Sequence, residues 1–171
     1  MPFVPQWTEQ SWGQELLVAH GPTYTGKVLF RFASPPHHRG GLQFHRSKDE
    51  TFYLHSGEVW VYFVDEVGVL RKVHMIPGMS FHVPPGAIHS VETITDSVMF
   101  EASNPVFDDR VRVEEQYDVS TAVEVNAATW AELPLFIQGG SEWASSSLAS
   151  SSSSQRGFMR ARLLLRGRTF P

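Results

Sequence analysis

From Thr25 onward the apolar positions fall in short runs rich in β-branched and aromatic residues. The first run, Lys27-Val-Leu-Phe-Arg-Phe-Ala33, stops at the breaker sequence Ser34-Pro35-Pro36. Further runs follow at 41–45, 50–55, 58–64, 70–75, 80–83, 89–93 and 97–102. Turn signals separate them at Ser56-Gly57, Pro77-Gly78 and Pro84-Pro85-Gly86. Short strands repeating about every 8–12 residues predict an antiparallel sandwich or barrel rather than βαβ units. Before Thr25 the pattern is less decisive. Trp7, Trp12, Leu16 and Leu17 are candidates to cover a core edge, with a short helix or strand around 15–19. After Asn104-Pro105 the pattern weakens: 108–118 is charged, with 108–115 expected as a solvated or dimer-edge segment, and 120–133 mixes Ala, Val, Glu and Trp in a way that predicts a short helix ending before Pro134.

Composition narrows this picture. The chain has 171 residues, enough for one domain with a real core, and it contains no Cys, so disulfides and thiolate metal sites are excluded. No stretch approaches the ~20 apolar residues of a membrane span, and 1–12 has neither a basic n-region nor an apolar h-region, so a soluble cytoplasmic protein is expected. Net charge divides unevenly: residues 1–140 carry −8, which argues against nucleic-acid binding, whereas 141–171 carry +4. That tail combines nine serines with Arg156, Arg160, Arg162, Arg166 and Arg168 and is expected to be disordered. The expected division is therefore a barrel over 1–118, an annex over 119–140 and the Ser/Arg tail over 141–171.

Two blocks carry the chemistry. In Gly41-Leu-Gln43-Phe-His45-Arg-Ser-Lys48-Asp-Glu50, Gln43 and His45 lie two apart and point to one face of a strand. Glu50 follows His45 by an odd spacing, so a loop at 46–49 must reset the register before Glu50 can return to meet them. Glu50, Phe52 and Leu54 then share one face, and Thr51, Tyr53 and His55 the other. In the second block, Gly78 to Thr93, Pro85-Gly86 suits the centre of a type II turn that delivers His89 at the start of the next strand. Two imidazoles, one carboxylate and one amide oxygen make a mixed N/O site for a divalent metal. His20, His37, His38, His55, His74 and His82 have no such framework and read as surface or edge residues, with His37-His38-Arg39 placed to close a pocket mouth.

These blocks resemble the paired motifs of the cupin superfamily, G-x5-H-x-H-x3,4-E-x6-G and G-x5-P-x-G-x2-H-x3-N. His45, Glu50 and Gly57 keep the first spacing, with Gln43 at the first histidine position; the second block matches except for Thr93 in place of Asn. The resemblance implies a double-stranded β-helix with a metal at its centre. Gln-x-His narrows it toward the cupin domain of mannose-6-phosphate isomerases, particularly the domain fused to a guanylyltransferase in the bifunctional type. Trp12-Gly13, Lys27, Val83-Pro84, Glu101, 108–114 and Tyr117 follow that pattern as well, so the similarity spans about 12–118. Lys48 stands where those isomerases have a catalytic Arg, an exchange that replaces a bidentate clamp by a mobile point charge.

The resemblance implies metal ligands Gln43, His45, Glu50 and His89 around a divalent Zn, Mn, Co, Ni or Fe ion. Lys48 and Glu101 are candidate acid–base residues, Lys27 and the pocket-wall residue Tyr62 are candidates for substrate contact, and the resemblance implies a homodimer. The activity it implies is aldose–ketose isomerisation of a sugar or sugar phosphate, in which a metal polarises the carbonyl and a nearby group moves a proton between adjacent carbons. Two His and one carboxylate also suit an iron-dependent dioxygenase. The third reading is a sugar- or metabolite-binding module without turnover.

Overall fold

The computed structural model describes residues 3–33 and 39–126, which lie in one compact unit, Met1–Gly139. Twelve strands occur among the described residues: β1 Gln6–Gln10, β2 Gly13–His20, β3 Thr25–Arg31, β4 Gln43–His45, β5 Glu50–Ser56, β6 Val59–Val64, β7 Leu70–Met75, β8 Ser80–Val83, β9 His89–Thr93, β10 Ser97–Ser103, β11 Arg110–Arg112 and β12 Val123–Val125. They form two six-stranded sheets, ordered β1-β2-β3-β10-β5-β8 and β11-β4-β9-β6-β7-β12. All pairs are antiparallel except β12 with β7. The all-β double-stranded β-helix expected from the motifs is therefore present, and no described helix is long and apolar enough to cross a membrane.

Burial alternates along β3, β5, β8 and β10 of the first sheet. Thr25, Lys27, Leu29 and Arg31 of β3 face inward, as do Glu50, Phe52 and Leu54 of β5 and Ser97, Met99, Glu101 and Ser103 of β10. Register carries these positions across the sheet in rows. Leu29 lies opposite Met99, and Met99 opposite Leu54; one row further along, Lys27 lies opposite Glu101, and Glu101 opposite Phe52. The interior thus has an apolar part, where Leu54, Val61, Phe63, Val73, Met75, Phe81 and Met99 pack, and a polar part containing Lys27, Glu50 and Glu101. Each fully buried apolar side chain of this kind contributes roughly 1.5–3 kcal/mol, so the apolar part anchors the walls that hold the polar one.

Strand β6, Val-Trp-Val-Tyr-Phe-Val, is buried on both faces. Val59, Val61 and Phe63 join the interior, whereas Tyr62 and Val64 pack in a second cluster with Leu42, Leu70, Ile88 and Val113. Two glycines sit where turns demand positive φ. Gly86 has φ +83° in the turn closed by the Ala87 N–H donating to the Pro84 carbonyl, as the Pro85-Gly86 pair predicts. Gly57 has φ +81°, and a Cβ there would lie 2.4 Å from the Asp96 carbonyl oxygen.

Three features differ from the sequence expectation. Residues 15–19 lie in strand β2, the strand alternative of the expectation, paired with β1 in a hairpin, but Trp7 on β1 is 60% exposed rather than covering a core edge. The charged stretch after 108 is not wholly solvated, because Arg110–Arg112 adds a strand beside β4. The expected helical annex begins instead with a short 3-10 turn, Val119–Thr121, followed by β12. The second sheet thus continues past the expected barrel end at 118. The rest of the annex, the Ser/Arg tail, His37 and His38 lie outside the described residues.

Candidate metal centre

The loop at 46–49 does more than reset the register: it carries the chain from one sheet to the other. β4 belongs to the second sheet and β5 to the first, so Glu50 faces His45 across the interior. His89 opens β9 directly opposite Gln43 of β4, which puts both side chains on the same face of the second sheet. Candidate ligands from both motifs thus converge. His45 Nε2 lies 3.5 Å and His89 Nε2 3.2 Å from Glu50 Oε1, and one ligand atom from each residue falls within 4.8 Å of the others. All three residues are buried.

The hydrogen bonds behind these atoms fix which way they point chemically. His45 Nδ1 is 2.9 Å from Asp109 Oδ1, and His89 Nδ1 is 3.0 Å from the Ala87 carbonyl oxygen. Carbonyl and carboxylate oxygens only accept, so both imidazoles carry their proton on Nδ1 and turn the Nε2 lone pair toward Glu50. Glu50 Oε1 is itself fully buried with no hydrogen-bond partner among the described residues. Three lone pairs therefore meet in one place, which is the arrangement a divalent cation satisfies. Burial lowers the His45 pKa despite the pull of Glu50 and Asp109, which keeps this imidazole neutral and ready to ligate. Burial alone raises that of Glu50, but its surroundings, the Lys48 ammonium among them, outweigh it and hold the carboxyl well below its usual range.

Beside the triad runs a chain of alternating charges. Lys48 Nζ lies 2.5 Å from Glu50 Oε2 and 2.7 Å from Glu101 Oε1. Glu101 Oε1 also accepts from Ser103 Oγ at 3.1 Å and lies 3.8 Å from Lys27 Nζ, which is 2.8 Å from Glu15 Oε1. Lys48 is buried, and although desolvation opposes its charge, Glu50 and Glu101 raise its pKa. It is therefore an ammonium that donates to both carboxylates.

Gln43, His45, Lys48, Glu50, His89, Lys27 and Glu101 all line a cavity of about 660 Å³, a size usual for small-molecule sites. Tyr62 is the exception. It points to the opposite side of its sheet, packs against the second hydrophobic cluster, and donates its hydroxyl to Glu92 Oε2 at 2.5 Å. It forms no part of the cavity wall.

The most informative residue missed by sequence reasoning is Asp109. One oxygen accepts from His45 Nδ1, while the other accepts from the backbone N–H groups of Ser47 (2.6 Å) and Lys48 (2.9 Å). A single carboxylate thus orients a candidate metal ligand and shapes the loop bearing Lys48. Arg31 was also missed. Buried on β3, it donates to Thr93 Oγ1 (3.1 Å) and the Val91 carbonyl (2.9 Å), and its guanidinium lies 4.5 Å from the Trp12 ring. Burial lowers its pKa to about 10. Thr93, which replaces the Asn of the family motif, has its hydroxyl engaged by this arginine.

Residues 30–101 match the family model described as the cupin domain. The chain contains a cupin domain. Solved structures agree at the level of fold. The KdgF protein from Halomonas sp. is 23% identical with a TM-score of 0.50, over 60% of this chain and 88% of that one. The capsular polysaccharide assembling protein CapF from Staphylococcus aureus is 20% identical with a TM-score of 0.57, over 66% of this chain and 32% of that one. Oxalate decarboxylase from Bacillus subtilis is 15% identical with a TM-score of 0.53, over 64% of this chain and 30% of that one. The cupin domain thus aligns with most of KdgF but with about a third of each of the other two chains. No curated protein matches the sequence.

Proposed function

We propose that this cupin is a divalent-metal-dependent enzyme of the aldose–ketose isomerase type, acting on a sugar or sugar phosphate. The observation that carries the reading is the convergence of His45 Nε2, His89 Nε2 and the unpartnered Glu50 Oε1 beside the Lys48–Glu101 pair. His45, Glu50 and His89 would hold the ion, with the Gln43 amide oxygen as a fourth donor. When bound, the ion supplies Lewis-acid polarisation of a substrate carbonyl or its adjacent hydroxyl.

The protein's own groups divide the remaining work. Glu101, opposite Lys27 on the neighbouring strand, takes up and returns the proton that moves between adjacent carbons. Lys48 stays protonated and stabilises negative charge developing on substrate oxygen. Its placement between Glu50 and Glu101 links the metal side of the cavity to the proton-transfer side. The similarity of the Gln43-Phe-His45 and Glu50 segment to mannose-6-phosphate isomerase domains supports the same assignment.

Protein loaded with zinc, manganese or cobalt is expected to form ketose from an aldose phosphate and to exchange substrate carbon-bound hydrogen with deuterated water. Glu101→Gln is expected to lower turnover about 10²–10⁴-fold while keeping its metal. Iron in the purified protein with oxygen consumption would establish the dioxygenase reading instead. Saturable sugar binding with neither turnover nor exchange would leave a binding module.

A further inference from the structure

The last torsion of a glutamate side chain is broad and roughly two-fold, so the chain alone does not decide which carboxyl oxygen meets a substrate. For Glu101 the surroundings decide it. Oε1 accepts from Lys48 Nζ at 2.7 Å and from Ser103 Oγ at 3.1 Å, and Lys27 Nζ lies 3.8 Å from the same atom. Oε2 accepts no hydrogen bond among the described residues, and Glu101 lines the cavity. A carboxyl oxygen has two lone pairs, and those of Oε1 are both engaged. The other oxygen is left for whatever enters.

The second donor is itself directed. Ser103 follows Glu101 by two residues on β10, so both side chains face inward, and Thr25 of β3 lies directly opposite Ser103. The two hydroxyl oxygens are 2.6 Å apart. A hydroxyl has one proton to donate, and Ser103 gives its own to Glu101, so Thr25 donates to Ser103. The acceptor at the end thus fixes the direction of the whole chain, from Thr25 through Ser103 to Glu101. All three residues are buried, which keeps water from taking the place of either hydroxyl. Because the chain ends on Oε1, it survives a change of protonation at Oε2: the carbonyl oxygen of a protonated carboxyl still accepts.

We propose that Ser103, oriented by Thr25, is a positioning residue: with Lys48 it holds Glu101 Oε1, so that Oε2 is the oxygen that moves the substrate proton. The bond from one substrate carbon to hydrogen breaks as the Oε2–H bond forms, and the electron pair stays on the substrate. The Oε2–H bond then breaks as hydrogen joins the adjacent carbon, and Glu101 ends as it began. The kinetic part rests on the isomerase reading above; the held oxygen does not. Without the Ser103 hydroxyl, Oε1 keeps only Lys48, which Glu50 shares, and the carboxyl is free to turn.

Two measurements on the zinc-loaded full chain test this. In isomerisation of an aldose phosphate, Ser103→Ala is expected to lower kcat about tenfold with KM unchanged. Ser103→Thr, which keeps the hydroxyl, is expected to restore it, and Thr25→Val to give a smaller loss. Infrared difference spectra against Glu101→Gln isolate the Glu101 carboxylate bands without any need for turnover. Donors confined to one oxygen make the two C–O bonds unequal and widen the gap between antisymmetric and symmetric stretches. That gap is expected to narrow in Ser103→Ala and to stay wide in Ser103→Thr. An unchanged gap in Ser103→Ala, a kinetic loss confined to KM, or a threonine variant as slow as the alanine one overturns the proposal. Should Ser103→Ala not fold, equal kcat and an equal gap in Thr25→Val and the unmodified protein overturn it. A gap that narrows as expected, in a protein that turns over no sugar, keeps the held oxygen and removes the isomerase reading.

Discussion

Replacing Asp109 by Asn isolates the charge and proton-accepting capacity of one carboxylate at nearly constant volume. In the native site both oxygens accept, from His45 Nδ1 on one side and from the Ser47 and Lys48 N–H groups on the other. Asparagine offers one accepting and one donating end. If its carbonyl keeps the two loop donors, its amide N–H faces His45 Nδ1. The imidazole proton then moves to Nε2, where it points at Glu50 Oε1 instead of leaving a lone pair for a metal. In the opposite orientation the loop that bears Lys48 loses two hydrogen bonds. Loss of such a supporting carboxylate typically weakens metal binding 10–100-fold, or about 1.4–2.8 kcal/mol. Charge-assisted hydrogen bonds are worth about 1.5–3 kcal/mol each, so the metal-free variant is also expected to melt at lower temperature. Competition for zinc against a chromophoric chelator measures the affinity, and long-range nitrogen–proton NMR reads the His45 tautomer. Affinity within twofold of the native value, with the Nδ1–H tautomer retained, would refute the role assigned to Asp109.

Asp65 is a buried carboxylate that accepts from the Val67 and Val69 N–H groups and from Arg71 Nε at 2.7 Å, and these bonds hold its pKa below the usual value against the opposing effect of burial. Its contribution is therefore present above the unfolded pKa of about 4 and lost as pH falls through the folded value. Asp65→Asn is expected to cost about 1–3 kcal/mol at pH 7 and less near pH 3, as read by urea denaturation at both pH values; an equal cost at both would contradict this. Gly57→Ala combines φ +81° with a Cβ 2.4 Å from a backbone oxygen, so a loss of more than about 1 kcal/mol is expected, and an unchanged melting temperature would remove the turn constraint. Chelation of metal-loaded protein is expected to lower the melting temperature, since a ligand at 100 times its Kd stabilises by about 2.7 kcal/mol; no change would argue against metal at a buried site.

Much of the barrel was legible because its inner faces alternate and its turns use Gly and Pro. Strands β7, β8 and β9 begin and end where the apolar runs do. The candidate triad was legible for a related reason: the Pro85-Gly86 turn and the 46–49 loop are local devices that deliver His89 and Glu50 by short-range geometry. Tyr62 was misplaced because β6 is apolar at every position, so nothing in its pattern says which alternate residues face the cavity. Packing against Leu42 and Val113 on the outer side decides it. Residues 120–133 look helical by composition, yet Val123–Val125 gains more from a parallel pairing with β7, which no local signal records. Asp109 and Arg110 sit in a charged stretch that reads as solvated. Only the long-range pairing of β11 with β4 turns one toward His45 and the other toward the cavity.

The central claim is that His45, Glu50 and His89 bind one divalent cation. Anomalous-difference density from crystals of the full chain grown with zinc or cobalt tests it most directly. A single peak bonded to His45 Nε2, His89 Nε2 and Glu50 Oε1, absent in the His45→Ala and His89→Ala variants, is the result predicted. No peak among these three atoms at saturating metal, or full metal stoichiometry in both variants, would contradict it.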